Sequence, residues 1–156
     1  MNLTIDESNY KSFFEELRNR VLSSKHKAAQ LVNSELLILY HYIGTEILCR
    51  QKSSGWGSKV IDKLSHDLSL AFPDMKGFSA RNLKYMRKFA EEYPSAKIVQ
   101  EVLAQLSWYH HITLLEKIKD VSTRMFYIEK SIQNGWSRNI MLIQIESELH
   151  KRAGLA

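Results

Sequence analysis

The chain is poor in everything that punctuates or cross-links a fold, with one cysteine, two prolines and six glycines in 156 residues. The single cysteine, Cys49, excludes an internal disulfide and any cysteine-based metal cluster, and it suits a reducing compartment. So few glycines and prolines argue against a turn-rich β sandwich or barrel. No apolar run approaches the roughly 18 residues of a membrane span, and the opening MNLTIDESNY lacks the charged start and apolar stretch of a signal peptide. A Gly-rich phosphate loop, an H-E-x-x-H pair and a nucleophile motif are all missing, so the sequence predicts no catalytic residue, no cofactor and no metal ligand. Asp74-Met75-Lys76 spells the D-x-K half of a metal-dependent nuclease motif. It follows Pro73 in an inter-helix turn, however, without the second upstream acid and the strand pair that would hold two carboxylates on a divalent ion. These absences leave a cytoplasmic helical protein that does not enter a membrane.

What is present fits one all-α domain over 1–156, with 44% hydrophobic and 25% charged residues and a core-forming length. Apolar spacing predicts seven or eight helices. The first runs from about Asp6, a candidate cap, to Val21, with Tyr10, Phe13, Phe14, Leu17 and Val21 on its core face. The second, about Ser24 to Gln51, is apolar around most of its middle (Leu31, Val32, Leu36 to Leu39, Ile43, Ile47, Leu48) and is expected to be central and buried. SSGWGS then punctuates the chain, with Ser58 as a candidate cap for a helix to Phe72 carrying Val60, Ile61, Leu64, Leu68 and Ala71 on one arc. Pro73 stops that helix, and Ser79 can cap the next, which Pro94 closes after Tyr93. A short helical stretch at 97–105 follows, and Ser107, Ser122 and Ser137 are positioned to cap helices of about 108–119, 123–133 and 138–152, with Asn134-Gly135 as a stop.

The formal charge of +5 is unevenly spread: between Met75 and Ala90 stand Lys76, Arg81, Lys84, Arg87 and Lys88 with no Asp or Glu. At about 100° per residue Arg81, Lys84 and Lys88 share a narrow arc with Arg87 beside them, while Leu83, Met86, Phe89, Ala90 and Tyr93 gather opposite. One face wants a core and the other an anion. Two helices at 59–93 with a cationic outer face form a helix-turn-helix-like unit that could lay its second helix in a DNA groove. The contact set is Lys76, Ser79, Arg81, Asn82, Lys84, Tyr85, Arg87 and Lys88. Arg81 suits guanine and Asn82 suits adenine, while Lys76, Lys84, Arg87 and Lys88 suit phosphates, and Ser79 with the free amides of the helix start adds a phosphate site. The competing readings are a merely solvated basic face and an Asn82 that only completes the cap. The turn from Pro73 to Phe78 also exceeds the 3–4 residues of a strict helix-turn-helix.

His110 and His111 are adjacent, so they point to different sides of a helix and read as structural or surface groups rather than a metal pair. Trp56 and Trp136 follow glycines at helix entries and read as packing residues.

Five segments together resemble the N-terminal domain of the YhcG family: VNSELLILYHYIG from Val32, GWGSKVIDKLSHDL from Gly55, FPDMKGFSARNLKYMRKFAEEYP from Phe72, QLSWYHHITLLEKIKD from Gln105 and NGWSRNIMLIQIESELHKRAGLA from Asn134. FPDMKGFSARNLKYMRKF is the most distinctive of them. The resemblance implies a helical domain of unknown function that binds double-stranded DNA and precedes a nuclease-like domain of the PD-(D/E)XK superfamily. That second domain is expected to lie outside this chain, so the resemblance carries over no catalytic residue. Tyr109 stands where the family usually has a small residue. A homodimer is expected because one helix-turn-helix usually reads half of a two-fold site. The alternative is a protein-interaction or oligomerisation module without direct DNA contact, assembled through the helix Val32 to Ile47 and the C-terminal half.

Overall fold

The computed structural model describes residues 7–55 and 57–154. They are all-α, as the composition predicts. In chain order come α1 (Glu7–Ser54), α2 (Ser58–Ala71), α3 (Ala80–Glu92), α4 (Ala96–Glu101), a 3-10 turn (Leu103–Gln105), α5 (Trp108–Lys117), α6 (Val121–Asn134), α7 (Arg138–Glu146) and α8 (Leu149–Arg152). Among the described residues no strand is present. None of the described helices is long and apolar enough to cross a membrane. The expected cap Asp6 and the packing residue Trp56 lie outside the described residues.

Four boundaries differ from the sequence expectation, each for a local reason. The two N-terminal helices are one, because Leu22-Ser23-Ser24 contains no proline or glycine and serine costs a helix interior only a few tenths of a kcal/mol, on the order of 0.5. Gly57, not Ser58, occupies the cap of α2, and no side-chain bond is made there. Asp120, not Ser122, caps α6: its carboxylate accepts from the Thr123 amide at 3.0 Å and from the hydroxyls of Ser122 and Thr123. Its pKa is held low by these bonds, those from Thr123 first. The expected helix 138–152 breaks where Glu148 turns into the left-handed region at φ 56°, leaving α7 and α8. The other caps stand as read: Ser79, Ser107 and Ser137 each accept the amide three residues on, and Gly135 ends α6; Ser95, which the sequence reading did not single out, caps α4 in the same way.

The chain divides into two compact units, the first ending at Val32 and the second beginning at Asn33. In the first unit, residues 7–32, Tyr10, Phe13, Phe14, Leu17, Val21, Leu31 and Val32 are all exposed, contrary to the core face expected for them. Tyr10 and Phe14 stack at 6.4 Å, and Glu15 pairs with Arg18 at 3.6 Å.

The second unit holds the core. From α1 only Leu37, Tyr40, His41, Gly44 and Ile47 are buried, while Leu39 and Tyr42 are exposed, so this stretch is buried along one side rather than all round. Against it lie Ile61, Phe78, the α3 face Leu83, Met86, Phe89 and Ala90, and then Val99, Leu103, Trp108, Leu114, Tyr127, Ile128 and Met141. Each large side chain of this group gains about 1.5–3 kcal/mol by leaving water. Gly44 marks the closest approach of helices: a Cβ there would stand 2.0 Å from the Met86 carbonyl oxygen. Asn33 donates to Ala104 O at 3.2 Å and Leu106 O at 2.9 Å, fastening the 3-10 turn and its exit to α1.

Three histidines act as staples rather than ligands. A carbonyl only accepts, so each imidazole donates its Nε2–H: His41 to Tyr93 O at 2.7 Å, His110 to Trp136 O at 2.8 Å and His111 to Leu103 O at 2.8 Å. His110 Nδ1 in turn accepts from the Ser107 hydroxyl. Burial pushes both neighbours down, His111 to about 4. Trp136 packs partly buried against the core.

Candidate nucleic-acid interface

Helix α3 is positioned by its own two faces. Leu83, Met86 and Phe89 are fully buried, which turns Arg81, Lys84 and Lys88 to solvent with Arg87 half-buried beside them. Ser79 fixes where the helix starts by accepting the Asn82 amide at 3.1 Å. The preceding connection is held by Ser65, whose hydroxyl donates to Phe78 O at 2.6 Å, and by the Met75 amide on Phe72 O at 3.0 Å. Asp74 sits in this turn, exposed, with Lys76 exposed beyond it. Among the described residues no group of three or more His, Cys, Asp or Glu is arranged to hold a metal ion.

The structure brings Arg81, Lys84, Tyr85, Arg87 and Lys88 together around a shallow recess of about 400 Å³, with Glu91 and Glu92 at its far edge. Within it the cations are unequal. Arg81 donates to the Tyr85 hydroxyl at 3.2 Å, lies 5.6 Å from that ring's centre, and stands 3.6 Å from the Glu116 carboxylate, to which the same hydroxyl donates. The Tyr85 hydroxyl and then Glu116 raise the Arg81 pKa further above its ordinary value. Lys84, Arg87 and Lys88 form no ion pair among the described residues, and Glu92 is engaged elsewhere, by the buried Arg124 at 2.8 Å. Three cations therefore stand outside any ion pair, with Glu91 lining the same recess, and one is clamped.

Asn82 occupies a different environment from its neighbours. Its Nδ2 donates to Gly77 O at 2.6 Å and its Oδ1 accepts from Trp108 Nε1 at 2.7 Å. Both ends of the amide are thus engaged in tying α3 to the preceding turn and to α5, which fixes its orientation away from the role of a free base reader. Lys76 and Ser79 line a second opening, of about 540 Å³, shared with Tyr40, Trp108 and Tyr109.

Sequence reasoning missed Glu116, Tyr40, Trp108 and Tyr109 as neighbours of this surface, since they reach it from α1 and α5 and no local spacing links them to α3. It also missed Arg124, whose guanidinium, buried between α3 and α6, donates to Ile118 O at 2.9 Å as well as to Glu92.

Among known proteins the chain is similar to "Putative nuclease YhcG" of Escherichia coli (strain K12), at 26% identity over 180 residues covering 94% of this chain and 47% of that protein. The chain thus spans about half the length of this relative. No solved structure matches it. Residues 16–152, which include the whole basic helix and the elements that hold it, match the family described as DUF1016 N-terminal domain, and the chain belongs to that family.

Proposed function

We propose that this protein is the DNA-binding module of a nuclease-superfamily protein, contacting duplex DNA through the solvent face of α3 in a helix-turn-helix-like unit and carrying no catalytic group of its own. The observation that carries this reading is the array Lys84, Arg87 and Lys88, in no ion pair among the described residues, on a helix whose opposite face is fully buried. A phosphate backbone would pair with these cations and gain by counterion release. Lys76 and the clamped Arg81 extend the array, and Ser79 with the first amides of α3 offers a further phosphate site. The nuclease-like domain inferred to accompany it would act on DNA that this module holds, in the cytoplasm.

The test is binding to a labelled random duplex over a salt series, with Arg81, Lys84, Arg87 and Lys88 together changed to Ala. Affinity should fall steeply with salt, and the folded variant should lose about 3–4 from the slope of log K against log salt, near 0.9 per phosphate contact. Equal binding by the variant would overturn the reading.

A second reading is favoured by the apolar face of residues 7–32. At about 100° per residue, Tyr10, Phe13, Phe14, Leu17, Val21, Leu31 and Val32 fall within one arc of roughly 100°, all exposed. Exposed apolar side chains gathered on one face in this way are what a partner surface would cover. Self-association of two copies along it would give the homodimer expected of a half-site reader, and it could also be the whole function if no DNA is bound.

A further inference from the structure

The basic face of α3 is bordered by a second opening, which shares Lys76, Ser79 and Arg81 with the phosphate-binding array and adds aromatic rings to it. Its volume is about 540 Å³, within the range of a small-ligand site. The floor is Tyr40 and Trp108, both buried and packed edge to face at 5.0 Å. Tyr109, 70% exposed, also lines the opening, together with Lys76, Arg81 and Tyr85, whose ring lies under the Arg81 guanidinium at 5.6 Å. The Asn82 amide beneath is held by Gly77 and Trp108, and burial raises the Tyr40 phenol's pKa, so that it stays neutral. The opening therefore offers aromatic rings and two cations.

Flat apolar rings beside cations fit a flat ring carried on an anionic linkage. A nucleobase with its flanking phosphates has that chemistry, and stacking on aromatic side chains is tolerant of base identity because every base presents a π face. A base inside a continuous duplex is covered on both sides by its neighbours and cannot enter. We propose that this cleft stacks one unpaired nucleotide on Tyr109, with its phosphates on Lys76 and Arg81, so that the domain selects duplex that adjoins single-stranded DNA. The inference rests on the DNA-binding reading above and names the substrate class of that same surface.

The experiment compares a blunt duplex with the same duplex bearing a short single-stranded overhang, at one salt concentration, with 2-aminopurine placed at successive overhang positions. Wild type should bind the overhang form about tenfold tighter, the worth of roughly one stacked base, and should change the 2-aminopurine fluorescence at one position near the junction. Tyr109→Ala should lose that tenfold on the overhang form and nothing on the blunt form, and Tyr109→Phe should keep it. Tyr109 is exposed, so thermal melting should be unchanged in both variants. Salt-dependent binding to both forms with equal affinity, or an equal loss on both with Tyr109→Ala, overturns the cleft assignment and leaves the DNA-binding reading standing. Absence of binding to either form overturns both.

Discussion

Arg81 shows how one carboxylate can set the strength of a surface. Its guanidinium faces Glu116 at 3.6 Å and the Tyr85 hydroxyl at 3.2 Å, so a phosphate must compete with a partner already in place. Exposed pairs of this kind are worth about 0–1 kcal/mol. Glu116→Gln should therefore raise affinity for a duplex about two- to fivefold at low salt, measured by fluorescence anisotropy, with stability unchanged within about 0.5 kcal/mol. A fall in affinity would mean that Glu116 orients Arg81 rather than restraining it. His111 acts on stability instead. It is fully buried, and burial lowers its pKa from 6.5 to about 4. Above 6.5 it is neutral whether the chain is folded or not. As the pH falls below that value the unfolded chain takes up a proton that the folded imidazole refuses, so stability is lost progressively until about 4, by about 3 kcal/mol in all. His110, lowered for the same first reason, adds in the same direction. Urea unfolding near neutrality and just above the folded-state value should reveal this loss. His111→Gln should be less stable near neutrality yet flatter with pH. A wild type whose stability is constant across the window would show that these imidazoles are not buried neutral.

At the scale of elements, the fold rests on close backbone approach as much as on apolar area. Gly44 meets the Met86 carbonyl carbon and oxygen, which cannot rotate away as a side chain could. Gly44→Ala should force the two helices apart and cost about 1–3 kcal/mol in chemical unfolding; a cost below about 0.5 kcal/mol would refute the contact. The same elements show where sequence was sufficient. Helix α3 could be read in full: Ser79 caps it by a bond that depends only on residues three apart, and the 3.6-residue period separates Leu83, Met86 and Phe89 from Arg81, Lys84 and Lys88. Its neighbours could not. Asp120 and Ser122 are both cap formers, and the choice turns on which carboxylate or hydroxyl reaches the Thr123 amide. The left-handed Glu148 lies in a stretch without glycine. Tyr127 holds α8 there, accepting the His150 amide at 3.1 Å from 23 residues away. Asn82 illustrates the same limit at the site. Its position beside Arg81 suggested a base reader, and only the arrival of Trp108 from α5 occupies its amide.

For the molecule as a whole, the two proposed surfaces respond to salt with opposite sign, which separates them in one series of measurements. On residues 7–32 the apolar arc is bordered on one side by Lys11, Arg18 and Lys25, with Glu7 among them and Glu15 paired to Arg18, and on the other by Arg20 and Lys27, so that both borders carry net positive charge. Two copies paired along that arc would bring like charges to both borders. The Debye length falls from about 10 Å at 0.1 M to about 3 Å at 1 M, which removes most of that repulsion while leaving the apolar contact intact. Self-association should therefore strengthen with salt, by about tenfold across that range if screening recovers about 1.4 kcal/mol, whereas DNA binding through α3 should weaken steeply over the same range. Sedimentation of the protein alone tests the first. Phe14→Asp with Leu17→Asp should leave a monomer at every salt concentration, and should not change the DNA salt slope, because neither residue belongs to the cationic array. A protein that remains monomeric in high salt would overturn self-association through this face. A dimer that dissociates as salt rises would instead assign its interface to ion pairs, and the apolar arc would then be free for a partner whose flanks are acidic.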